Sequence, residues 1–289
     1  ALPISVADSD GSKRLGLRIS TLHFHPFPSQ RTQWKPKLEV RGKPACLFLL
    51  APLAAVATAQ RCPFAWQDGN VRGLMHISSS FDSGNIDVID AQNPSSVRLR
   101  IRKDAGEDHF QWFYFRVTGA RGTALTLHIE NAGESSYPDG FHGYRACVSS
   151  DRQHWGRVET SFDGKVLTIH DTPRHDSVYY AYFAPYSLER HADLIADIAC
   201  RPQVQVERLG SSVDGRDIDL LRIGQPTSDR RVCWIIARQH PGETMAEFLV
   251  EGLLHRLVDE EDPVSQALLE KAVFYVVPNM NPDGSVRGH

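Results

Sequence analysis

The sequence is poor in cysteine and methionine and has no apolar run long enough to cross a membrane. Five cysteines occur among 289 residues and none forms a Cys-x-x-Cys pair, which argues against a disulfide framework and against a thiolate zinc site. A membrane-spanning helix needs about 20 consecutive apolar residues. The net charge of −3 also leaves the chain without the basic excess that nucleic-acid binding requires. Neither a membrane nor a nucleic acid is therefore an expected partner.

The remaining composition is typical of a globular protein, with 41% hydrophobic and 23% charged residues. Its length allows about two domains of roughly 100–200 residues each. The charge is unevenly distributed, because residues 1–74 carry 10 Lys and Arg against 4 Asp and Glu, whereas residues 75–289 carry 22 against 31. The first 74 residues therefore differ in character from the rest of the chain.

Residues 45–59 resemble a secretory signal, with a basic flank, an apolar stretch and a small-x-small end. They lie far from the N-terminus, and the first methionine is Met75. We expect residues 1–74 to be an irregular or non-native N-terminal extension; a cleaved export signal and an ordinary buried segment are the alternatives. A start at Met75 predicts a cytoplasmic protein, and a functional signal predicts an exported one.

Residues 75–199 have the pattern of a β-rich module. Residues 97–101 alternate strictly between apolar side chains and arginines, as a half-buried strand does. Further short strands are predicted at 111–117, 125–129, 144–148, 166–169 and 178–183. Glycine-containing turns separate them, so we predict an antiparallel β-sandwich or barrel.

Two features of this module invite a functional interpretation. The aromatic residues 112–115 lie on a predicted strand, where they are expected to serve one core face and one covered face. His170, His175 and His191 have irregular spacings, which favours ordinary surface polarity over a metal site.

Residues 200–289 change to an alternating α/β pattern. The apolar run 232–237 predicts a strand buried on both faces. From Thr244 the period becomes helical, and a second helix at 265–271 leads to another buried strand at 273–277. The predicted apolar stripe of the first helix consists of Met245, Phe248, Leu249, Leu253 and Leu257.

Candidate metal ligands follow the first of these buried strands. His240 and Glu243 stand three residues apart in the loop His-Pro-Gly-Glu-Thr, and an imidazole and a carboxylate are both zinc ligands. Sites in open α/β sheets lie at the carboxyl ends of strands, which is where this loop falls. The next strand ends in Asn-Pro-Asp-Gly (281–284), which is predicted to be a tight turn.

Together the two motifs resemble those of the zinc metallocarboxypeptidases. The β-rich module in front and the His-Pro-Gly-Glu-Thr loop are similar to the cytosolic carboxypeptidase-like branch, from about Ser79 (Ser-Phe-Asp-Ser-Gly-Asn-Ile) onward. The resemblance implies an all-β sandwich module followed by the first part of a mixed-sheet α/β zinc carboxypeptidase domain. It also implies a hydrolase acting on peptide or protein C-termini, often on glutamates, with zinc held by His240, Glu243 and a further histidine.

The chain departs from the family pattern after the second motif. It stops at His289, so the third zinc ligand, the catalytic glutamate and the arginines that bind the substrate carboxylate are not assigned. Arg287 lies too close to the turn, and His289 does not lie on the later strand that carries the third ligand in the family. We therefore expect a C-terminally truncated chain that binds zinc weakly and hydrolyses nothing.

Two other functions remain open at this point. An amidohydrolase of the aspartoacylase or succinylglutamate desuccinylase type also places His-x-x-Glu after a strand. A non-catalytic binding module, in which the sandwich recognises a protein, is the second alternative. The sequence leaves the oligomeric state open.

Overall fold

The computed structural model describes residues 74–289, so the predicted extension and its signal-like stretch at 45–59 lie outside the described residues. The strands are β1 (His76–Ser78), β2 (Asp87–Asp90), β3 (Val97–Arg100), β4 (Tyr114–Thr118), β5 (Leu125–Ile129), β6 (Cys147–Ser149), β7 (Gly156–Arg157), β8 (Glu159–Phe162), β9 (Leu167–Asp171), β10 (Ser177–Ala181), β11 (Val204–Ser211), β12 (Asp217–Ile223), β13 (Arg231–Ile236) and β14 (Ala272–Val277). The α-helices are α1 (Leu188–Ala199), α2 (Thr244–Leu257), α3 (Pro263–Lys271) and α4 (Pro282–Arg287). Among these helices, none combines the length and apolarity that a membrane crossing requires.

The first ten strands form the predicted sandwich. One sheet has the order β1-β4-β10-β6-β7 and the other β2-β3-β5-β9-β8. A single core lies between them, contributed by strands of both sheets, such as Phe115 and Tyr180 from the first and Leu127 and Ile169 from the second. One pair differs from the antiparallel prediction, because β3 and β5 run parallel. Their connection passes through β4 in the opposite sheet, so they are not joined by a hairpin.

The aromatic residues 112–115 are buried, as the strand pattern predicted. Phe113 and Phe115 belong to the core between the sheets, whereas Trp112 and Tyr114 pack in a separate cluster with Cys147. The strand itself begins at Tyr114 rather than at residue 111.

The last four strands form a mixed sheet with the order β11-β12-β14-β13. Strands β13 and β14 are parallel, and the remaining pairs are antiparallel. The prediction that 232–237 is buried on both faces is wrong: within the described part of the chain β13 is an edge strand, and Val232, Trp234 and Ile236 are about half exposed. An apolar strand sequence does not determine whether a second sheet neighbour or a covering layer is present.

The helices of this part correct the sequence analysis in two places. Helix α1 was not predicted, although it has a Ser187 cap and packs Leu194 and Ile198 into the core of the mixed sheet. Helix α2 begins at Thr244 as predicted. Its predicted apolar stripe is confirmed in part, since Leu257 is buried and Phe248 and Leu253 pack against the core, whereas Met245 and Leu249 are exposed. The buried residues of α2 are Thr244, Glu247, Val250, Leu254 and Leu257.

The Ser-Phe-Asp-Ser-Gly-Asn-Ile segment packs against the end of α4. Asn85 Nδ2 donates to the Gly288 carbonyl at 2.7 Å, and Ser83 N donates to the Val286 carbonyl at 2.9 Å. Gly288 has a φ of +78°, and a Cβ there would lie 2.7 Å from Ser83 O. The sandwich and the mixed sheet are therefore in direct contact next to the second motif.

Candidate metal centre

The predicted ligands lie on the loop that joins the end of β13 to the start of α2. Glu243 N donates to the His240 carbonyl at 3.1 Å, which closes the loop between the two residues as a turn. Both residues are exposed, and neither side chain makes a hydrogen bond or an ion pair with any other residue between 74 and 289. An imidazole and a carboxylate that are not engaged elsewhere are available to bind a cation.

The second motif packs directly against this loop. A Cβ built on Gly284 would lie 2.8 Å from Pro241 Cγ, so only glycine fits there without displacement. Asn281 Nδ2 donates to the Gln239 carbonyl at 3.3 Å. Residues 281–284 are not only a tight turn as predicted, because Asn281 caps α4, accepting a hydrogen bond from Gly284 N.

Two charged side chains of α4, Asp283 and Arg287, bind the hairpin between β11 and β12. Asp283 accepts hydrogen bonds from Ser212 Oγ at 2.7 Å, Asp214 N at 2.9 Å and Arg216 Nη1 at 2.6 Å. Desolvation opposes ionisation, but these donors hold the pKa of Asp283 below its usual value. Arg287 is paired with Asp214 at 2.5 Å. Asp283 and Arg287 therefore anchor α4 to the β11–β12 hairpin.

A cleft of about 740 Å³ opens in front of His240 and Glu243. The sandwich supplies part of its lining, including Gln111, Tyr137 and Tyr182. Gln111 Nε2 donates to the Tyr182 hydroxyl at 3.3 Å, which fixes this part of the lining. The candidate ligands thus face a space bounded by both halves of the described chain.

His289 lines the same cleft but is engaged elsewhere. Ala105 N donates to His289 Nε2 at 3.1 Å. Burial lowers the pKa of His289, with Asp104 acting in the opposite direction. Between residues 74 and 289 no group of three or more His, Cys, Asp or Glu side chains is placed to hold a metal ion. An imidazole and a carboxylate are side-chain types that bind zinc, which makes His240 and Glu243 candidates for two positions of a donor set.

A buried ionic network lies beneath the loop, and sequence reasoning missed it. Glu247 is fully buried and accepts from Arg238 Nη1 at 2.8 Å, while its other oxygen lies 2.7 Å from His191 Nδ1. His191 Nε2 is 3.0 Å from Asp219 Oδ2. The assignment of His191 to surface polarity is wrong, since only 7% of it is exposed, whereas His170 and His175 are exposed as expected.

The charges of this network set the protonation of His191. Burial alone would lower the pKa of His191, but the hydrogen bonds to Asp219 and Glu247 outweigh it and raise the pKa to about 9. At neutral pH the imidazolium therefore faces two carboxylates. A glutamate inside the otherwise apolar face of α2 was the sequence signal that could have revealed this network.

The fold and the site define a β-sandwich joined to an α/β domain whose candidate ligand loop lies at a strand end. The family model of the cytosolic carboxypeptidase N-terminal domain matches residues 77–183, and that of zinc carboxypeptidase matches residues 193–289. The chain belongs to the zinc carboxypeptidase family, in its cytosolic carboxypeptidase-like branch. This membership favours the carboxypeptidase interpretation over an amidohydrolase of the aspartoacylase type.

Individual relatives agree with this assignment. The chain is 53% identical over 215 residues to an uncharacterized protein of Zymomonas mobilis, with 74% of this chain and 56% of that protein covered. Cytosolic carboxypeptidase 6 of Mus musculus is 28% identical over 246 residues, covering 75% and 44%. The structure of a metallo-carboxypeptidase from Burkholderia cenocepacia is 50% identical with a TM-score of 0.73, covering 74% and 58%. A Pseudomonas aeruginosa metallo-carboxypeptidase, in complex with (2-guanidinoethylmercapto)succinic acid, is 47% identical with a TM-score of 0.71, covering 74% and 57%. The chain thus spans about half the length of these relatives.

Proposed function

We propose that this sequence belongs to a zinc-dependent carboxypeptidase that hydrolyses C-terminal peptide bonds, with His240 and Glu243 as two of the zinc ligands. The observation that carries the proposal is the placement of both side chains, exposed and without other partners among the described residues, in the lining of one cleft. When bound, the zinc would polarise the scissile carbonyl and activate a water molecule. Family membership supports a peptide substrate and a cytoplasmic location.

The chain's own residues have two roles in this proposal. His240 and Glu243 supply a neutral nitrogen and an anionic oxygen, a donor pair that suits zinc and leaves positions for a further ligand and water. Gln111, Tyr137 and Tyr182 line the same cleft, where they would contact the peptide. The succinic acid compound bound by the Pseudomonas aeruginosa relative carries carboxylates, the group that marks a peptide C-terminus.

The finer substrate assignment follows from the branch. We propose C-terminal glutamates as substrates, because that is the specificity the resemblance implies. For the 289-residue chain alone we expect weak zinc binding and no turnover, since a two-residue donor set holds zinc less tightly than the three protein ligands of a catalytic site. Release of glutamate from a glutamate-terminated peptide by this chain, abolished in Glu243→Ala, would refute the expectation of inactivity.

Zinc titration tests the ligand assignment directly. We expect zinc to shift the imidazole Hε1 resonance of His240 in a saturable manner, and we expect His240→Ala and Glu243→Ala each to weaken binding at least about tenfold. His109, which also lines the cleft, provides the matched control, and His109→Ala should bind zinc as the parent chain does. An unchanged zinc affinity in both ligand variants would contradict the assignment.

A further inference from the structure

Arg238, near the start of the metal loop, is a buried arginine with an unusual backbone conformation. Only 2% of it is exposed, and its backbone has a φ of +47°, in the left-handed region that residues other than glycine rarely adopt. Strained backbone of this kind persists where surrounding contacts impose it and tends to occur at functional sites. The contacts that hold Arg238 in this conformation are therefore informative.

The guanidinium of Arg238 binds three separate segments. Nε donates to the carbonyl of Pro241, which lies between the two candidate ligands, at 3.0 Å. Nη1 donates to Glu247 Oε2 on α2 at 2.8 Å and to the Tyr186 carbonyl at 2.7 Å. The side chain therefore folds back along its own loop and connects the start of the loop, its middle and the helix that follows it.

The partner Glu247 is itself held in place. His191 contacts one of its oxygens at 2.7 Å, and Asn279 Nδ2 lies 3.4 Å from the other. Asn279 Oδ1 in turn accepts from Asn281 N at 3.0 Å. Glu247 is thus held between the two strand-end motifs, where it accepts the hydrogen bond from Arg238.

We propose that Arg238 is a positioning residue for the metal loop, fixing the Pro241 carbonyl and thereby the relative placement of His240 and Glu243. The proposal rests on the assignment of these two residues as zinc ligands. Replacing a buried ion pair by apolar residues of similar volume is often neutral for stability, so stability alone does not account for this pair. Groups that orient metal ligands commonly change metal affinity by 10- to 100-fold when they are removed, which is about the effect expected here.

The variant Arg238→Lys tests the positioning role of the guanidinium separately from its positive charge. A lysine ammonium can remain paired with Glu247, but one nitrogen cannot occupy the positions of both Nε and Nη1, so the bond to Pro241 is lost. We expect this variant to keep its melting temperature within a few degrees, to bind zinc at least about tenfold more weakly, and to exchange the Glu243 amide faster. Arg190, on α1, is the matched control, because it pairs in bidentate fashion with Glu251, another glutamate of α2, at 2.8 and 2.9 Å. Arg190→Lys should leave zinc affinity and Glu243 exchange unchanged.

Zinc affinity and exchange of the Glu243 amide together distinguish failure of this inference from failure of the proposed function. Unchanged zinc affinity in Arg238→Lys, when the parent chain binds zinc at His240, overturns the inference. If the parent chain does not bind zinc, the proposed function fails, and amide exchange alone decides whether Arg238 orders the loop. If Arg238→Lys does not fold, the double variant Arg238→Met, Glu247→Met removes both charges at similar volume, and parental zinc affinity in that variant overturns the inference as well.

Discussion

The protonation of His191 provides a quantitative prediction about stability. The ordinary pKa of a histidine is 6.5, and that of His191 in the folded chain is about 9. At about 1.36 kcal/mol per pKa unit, this difference corresponds to roughly 3 kcal/mol of folding free energy. Because His191 is only 7% exposed, solvent screens its interactions with Glu247 and Asp219 little.

The raised pKa of His191 determines how the free energy of unfolding depends on pH. Below pH 6.5 the imidazole is protonated in both the folded and the unfolded chain, so the stabilisation is fully present. Between pH 6.5 and about 9 the unfolded chain loses its proton first, and the stabilisation declines until the folded chain also deprotonates. We expect His191→Gln to be less stable than the parent chain by about 3 kcal/mol at pH 6 and to approach it above pH 9.

Urea unfolding at several pH values between 6 and 10 measures this difference. His255 is the matched control, since it lies 3.6 Å from Asp197 but is 48% exposed, and His255→Gln should follow the parent profile within about 0.5 kcal/mol. If the free energies of unfolding of His191→Gln and the parent chain remain separated by the same amount from pH 6 to pH 10, the assigned charge state of His191 is wrong.

Two further predictions concern packing. Gly284→Ala places a Cβ 2.8 Å from Pro241 Cγ and should lower the free energy of unfolding by about 1–3 kcal/mol. Gly252→Ala, in the open interior of α2, should raise it by about 0.5–1 kcal/mol. Chemical denaturation measures both changes, and equal effects would contradict the contact at Gly284. The exposed apolar residues of edge strand β13 predict concentration-dependent self-association, which Ile236→Lys should reduce in sedimentation equilibrium; an unchanged association would assign it to another surface.

The sequence was most informative where one physical pattern dominates. The period-two alternation from Val97 to Ile101 and the buried aromatics at 112–115 predicted the sandwich, and the apolar run at 273–277 predicted the central strand β14. The two strand-end motifs predicted the loop and its candidate ligands. In each of these cases neighbouring residues along the chain carry the signal.

The predictions that differ from the structure share one cause, because they depend on contacts between segments that are distant in the sequence. Strand β13 is apolar, but its burial depends on the strand beside it and the layer above it. In α2 the apolar stripe predicted a face that is partly exposed, because the buried face instead includes Glu247. A buried carboxylate is tolerated only when it is paired, and its partners Arg238 and His191 come from other elements. Periodicity along one helix cannot supply that information.

Two hydrogen bonds tie the metal loop to the segment between the sandwich and α1. Arg238 Nη1 donates to the Tyr186 carbonyl, and Thr244 Oγ1 donates to the Ala184 carbonyl at 2.9 Å. Both acceptors lie in the short segment that leaves the sandwich after β10. Arg238 near the start of the loop and Thr244 directly after it are therefore bonded to the segment that links the sandwich to α1. Because Tyr186 packs in the core of the mixed sheet, these bonds tie the loop to the junction of the two modules, next to the cleft that both of them line.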